Sequence, residues 1–78
     1  MASKKKKLIP PDPENMNNNR AYWAGEAIDV FEGRTGVEQK DSLCDLLADL
    51  RHWSDRQGFN WERELKRAMS HYKKEITE

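Results

Sequence analysis

From Asp41 to Tyr72 the apolar side chains recur every three or four residues, with one break at Gly58-Phe59-Asn60. Leu43, Leu46, Leu47, Leu50 and Trp53 share one side of a helix before the break, and Trp61, Leu65, Ala68, Met69, Tyr72 and Ile76 share one side of a helix after it. A connection this short predicts an antiparallel hairpin of two amphipathic helices. Upstream, Trp23, Ala24, Ala27, Ile28, Val30 and Phe31 fall on one broad arc, with Tyr22, Glu26 and Asp29 facing the other way. That pattern predicts a further helix, less sharply two-faced than the others.

Punctuation sets the expected boundaries. Asn17-Asn18-Asn19 supplies N-capping side chains for the first helix and Gly33 a stop. Gly25, inside that helix, costs about 1 kcal/mol relative to alanine and marks a place where another backbone would approach. Arg34 to Lys40 reads as a loop, Asp41 or Ser42 as the second N-cap, Gly58 as a left-handed terminator and Asn60 as the third N-cap. Alternating β-branched runs are absent, so no sheet is expected. The prediction is an all-α three-helix bundle with helices at about 19–32, 41–57 and 60–76, forming one domain over 19–78. Its stripes should close over one another and cover Leu47, Leu50 and Leu65. Residues 1–18 form a separate segment: Lys4 to Lys7 repel one another, and Pro10, Pro11 and Pro13 hold an extended, disordered basic arm that only Leu8 and Ile9 would pin to the body.

Composition narrows the picture. The chain has 78 residues, 36% hydrophobic and 36% charged, close to the lower size limit for a core without staples. Such a core encloses one or two of the three tryptophans, leaving another at an edge. Self-association, as a homodimer or with another protein, is therefore expected, with Trp23, Phe31, Trp53 and Trp61 as interface residues. The formal net charge is zero, against a dedicated DNA-coating protein, yet the chain has poles: +2 over residues 1–16, −4 over 17–49 and +2 over 50–78. The single cysteine, Cys44, cannot form an intrachain disulfide, and no apolar run reaches signal-peptide or membrane-spanning length. A cytoplasmic setting without a membrane partner follows as the expectation.

Three groups of residues invite chemistry. Asp45, Asp49, His52 and Arg56 lie within about 60° on the second helix, opposite its leucine stripe. With Glu26 and Asp29 from the first helix, Asp45, Asp49 and His52 form a conceivable Mg²⁺ or Mn²⁺ site; otherwise they are a solvated face on which bases balance acids. Arg63, Lys66 and Arg67 on the third helix, with Lys4, Lys5, Lys6 and Lys7 on the arm, are the candidate nucleic-acid contacts. The competing reading is a surface helix laced with ion pairs such as Glu62 with Lys66. Cys44 sits near a helix N-terminus, where thiol pKa falls, but no imidazole is placed to pair with it, and inert packing is the reading preferred. Glycine-rich phosphate loops, CxxC, HExxH and nucleophile elbows are absent, so no catalytic residue is assigned.

From Asp41 to Leu65 the order of residues resembles the second helix pair of the all-α nucleoside triphosphate pyrophosphohydrolases. Leu43-Cys44-Asp45-Leu46-Leu47 and Asp55-Arg56-Gln57-Gly58-Phe59-Asn60-Trp61-Glu62 follow that family's order. The resemblance implies Asp45 as the aspartate of the second acidic motif, and Glu26-Ala27-Ile28-Asp29 in place of the first. Ser42 stands where that family has the first acid of the second motif, and a fourth helix is missing. The D-L-L-A-D-L, H-W, D-R and H-Y strings also resemble short uncharacterised proteins of bacteria, plasmids and phages, which implies a bacterial or mobile-element origin. The sequence thus favours a non-catalytic helical interaction module. A reduced metal-dependent pyrophosphohydrolase and a nucleic-acid-binding accessory protein are the alternatives.

Overall fold

The computed structural model describes residues 9–77. Three helices follow in order, α1 (Met16–Thr35), α2 (Gln39–Gln57) and α3 (Trp61–Thr77), and there is no strand among the described residues. The architecture is an all-α three-helix bundle in which α1 packs on α2 and α2 on α3.

Capping explains where the helices begin and end. The asparagine cluster lies inside α1 instead of in front of it. The Asp12 carboxylate reaches forward to accept the amide hydrogens of Asn17 at 3.1 Å and Asn18 at 2.9 Å, closing the donors that a first turn leaves open. Asn15, left-handed at φ 64°, makes the turn that brings Asp12 into place, its own amide donating to the Asp12 carbonyl at 3.0 Å. Replacing Asp12 by alanine is expected to cost about 1 kcal/mol, read as a lowered melting temperature, whereas Asn15→Gly should leave stability nearly unchanged. At the other end Gly33 remains helical, and the stop is Gly36, at φ 73° with its amide donating to the Glu32 carbonyl at 2.8 Å. The loop accordingly shrinks from the expected 34–40 to Gly36, Val37 and Glu38. Neither Asp41 nor Ser42 caps α2; both lie within its first turns.

The later boundaries fall where the sequence places them. Gly58 adopts φ 83°, its amide donates to the Asp55 carbonyl at 3.4 Å, and the Phe59 amide donates to the Ser54 carbonyl at 3.0 Å, which is a Schellman termination. Asn60 then accepts the Arg63 amide on its side-chain oxygen at 3.0 Å and opens α3.

Polar contacts between the helices gather near their ends. Where α1 meets α2, the Ser42 hydroxyl bonds the Glu32 carboxylate and lies 3.1 Å from the Glu38 carbonyl. Where α2 meets α3, Trp53 stacks on Phe59 with ring centroids 5.6 Å apart, and Arg51 pairs with Glu62 at 3.4 Å. Where α3 returns to α1, the Asn17 side chain donates to the Glu75 carbonyl at 3.0 Å and Arg20 pairs with the Glu75 carboxylate at 3.4 Å. The end of α3 therefore sits beside the start of α1, and the α2–α3 hairpin opens as a V to reach it. The result is a flat, open triangle with extents of 38 × 32 × 19 Å. Its radius of gyration is 14.9 Å, against about 11.5 Å for a compact chain of this length.

This openness corrects the expectation that the stripes seal one another. No hydrophobic side chain is buried among the described residues; the two buried residues are Ser42 and Ser54, 2% and 4% exposed, at two of the corners. Leu47, Leu50 and Leu65 retain 43%, 41% and 43% of their exposure. The expected close approach at Gly25 is also missing, since nothing lies within 4 Å of the position a Cβ would take there. Helices of 20, 19 and 17 residues, joined by three-residue connections and touching by their ends, hold their middles apart.

Candidate interaction surface

The four interface residues chosen from sequence divide into two places. Trp23 is exposed on α1 and Phe31 is half-buried near that helix's end. Trp53 and Trp61 come together at the α2–α3 corner. With Leu50, Ser54, Phe59 and Glu64 they line a groove that is mostly apolar. The Schellman turn builds this groove: it places Phe59 over the last turns of α2, where Trp53 supplies the apolar partner such a turn favours. Phe59 was missed as a site residue. The signal was present, because an aromatic residue directly after a terminating glycine tends to fold back onto the helix it leaves.

From this corner two open stripes diverge. Leu43 and Leu47 continue along α2, and Leu65, Met69 and Tyr72 continue along α3, all of them exposed. The α3 stripe is the more sharply segregated, with Arg63, Lys66, Arg67 and Lys74 on the other side of the helix. At its far end Tyr72 and Ile76 help to line a cleft with Ala21 and with Ile9 and Pro10 of the arm. Ile9 thus does lie beside the body, though it remains largely exposed.

The other candidates are not assembled in the chain. Glu26, Asp29, Asp45, Asp49 and His52 are all exposed, and among the described residues no three acidic, histidine or cysteine side chains converge on a point where a metal ion would sit. Arg63, Lys66 and Arg67 are exposed along α3; Arg67 is paired with Glu64 at 2.9 Å. Glu62 turns to Arg51 and not to Lys66, so the expected pair along the helix gives way to one between helices. Lys4, Lys5, Lys6 and Lys7 lie outside the described residues. Cys44 is exposed, which corrects the expectation of inert packing. Among the described residues no helix is long and apolar enough to cross a membrane.

The chain matches no family model, no curated protein and no solved structure.

Proposed function

We propose that this protein is a small helical interaction module that works as an assembly, in the first place a homodimer, by covering its apolar faces with another chain. One observation carries the reading: a chain of 78 residues with three helices, two of them clearly amphipathic, buries none of its described hydrophobic side chains. Burial of apolar area is the main favourable term in folding, and ordering three helices costs on the order of 1–2 kcal/mol per residue in conformational entropy. A single chain that leaves its stripes half wet has little to set against that cost. A second chain laid over them supplies the missing burial.

The surface itself supports the same reading. Its accessible area is 6941 Å², where a compact protein of 9.2 kDa exposes about 4900 Å². Contiguous exposed apolar side chains rimmed by charge are characteristic of association sites. Tryptophan and tyrosine, enriched where proteins meet, are among the open side chains. Sedimentation at micromolar concentration tests the reading. The expected species has twice the 9.2 kDa chain mass; a monomer at every concentration would remove the homodimer.

A further inference from the structure

We infer that the surface joining one copy to the next is the open face of the α2–α3 hairpin, and that its occupant is the same face of a second copy. The inference rests on the homodimer reading above and adds which side of the molecule is covered.

The choice between faces follows from the helices. On α1 the exposed Met16, Trp23 and Val30 fall within about 40° of one another, but Arg20 and Arg34 lie on that same side and Tyr22 faces elsewhere, so the helix has almost no amphipathic character. On α3, Trp61, Leu65, Ala68, Met69, Tyr72 and Ile76 fall within an arc of about 100° that no charged residue enters. On α2, the arc holding Leu43, Leu46, Leu47, Leu50 and Trp53 is likewise free of charge from Ser42 to Ser54. The two arcs meet in the groove at the Gly58 turn, so they form one continuous surface. An apolar partner laid along the two arcs meets no charged group on either, and the one carboxylate at the groove between them, Glu64, is already paired with Arg67 at 2.9 Å.

Area and charge select a second copy as that partner. The open leucines of α2, with Trp53, Leu65, Met69 and Tyr72, expose roughly 700–800 Å² together, close to what each partner contributes to a stable interface of ordinary size. A flat molecule 19 Å thick offers such a face without rearrangement. The formal net charge is zero, so two copies approach without long-range repulsion. A two-fold contact places the same patch on both sides, and a surface apolar on both arms of its V is self-complementary in chemistry.

Methionine footprinting on the unaltered chain tests this. In a free chain Met69, 56% exposed, should be oxidised by peroxide at least as fast as Met16, 39% exposed. In the dimer the order should invert, with Met69 protected several-fold and Met16 unchanged. Two variants serve as a second arm: Leu43→Glu should weaken association by about a hundredfold or more, and Val30→Glu, on α1, should leave it within about threefold. If the unaltered chain sediments as a monomer, both this inference and the homodimer reading fail. If it is a dimer in which Met69 is oxidised as fast as in the dilute chain, or in which Val30→Glu dissociates it and Leu43→Glu does not, this face is wrong and the dimer stands.

Discussion

The melting temperature of this protein should rise with its concentration, by about 4 °C for each tenfold increase. The size follows from mass action. If two chains unfold as one unit, a tenfold rise in concentration stabilises the folded dimer by about 1.4 kcal/mol. The unfolding entropy of two chains of 78 residues converts that to a few degrees. A monomeric fold shows no such dependence. Circular dichroism melts across two decades of concentration should therefore span about 8 °C, and coincident curves would refute assembly-linked folding.

Met69→Glu is the substitution with the largest expected effect. Taken as a single chain, it is harmless: the side chain is 56% exposed, lies mid-helix, and glutamate is a good helix former. Surface changes of this kind usually fall within about 0.5 kcal/mol. If the hairpin face is covered by a second chain, the same change buries a carboxylate in an apolar contact on both sides of the two-fold. The cost is then at least 3 kcal/mol, more than a hundredfold in dissociation constant. Sedimentation together with helix content separates the two cases. Loss of the dimer, with loss of helix on dilution, is expected; an unchanged dimer would show that Met69 lies outside the contact.

The corners of the triangle bear on why so little is sealed. Ser42 and Ser54, the two buried residues among those described, both satisfy their hydroxyls locally, on Glu32 and Glu38 in one case and on the Phe59 carbonyl in the other. Their small size lets a neighbouring helix end come close. Between the corners Leu43, Leu47, Leu65 and Met69 stay exposed. The packing of one chain thus fixes the angles of the frame and leaves the apolar lining open.

Local features were largely legible in residues 16–77. Helical periodicity, the left-handed Gly58 and the Asn60 cap depend on interactions within a few residues, so their signals survive in the chain itself. The start of α1 was misplaced because its cap, Asp12, comes from beyond a left-handed turn at Asn15, a reach that no short pattern announces. The end of α1 was misplaced because Gly33 and Gly36 are equally able to stop a helix, and only the conformation actually adopted at Gly36 decides between them.

The amino-acid order by itself determined that there are three helices, which face of α2 and α3 is apolar, and where their connecting turn falls. Those properties follow from the rise and turn of the backbone and the identity of the nearby side chains. Whether the apolar faces meet one another was decided only in three dimensions. Periodicity says which side of a helix avoids water, but not whether anything lies opposite. Here one ion pair, Arg20 with Glu75, and one hydrogen bond, from the Asn17 side chain to the Glu75 carbonyl, join the end of α3 to the start of α1, so that the helices close a ring by their ends and leave their stripes open.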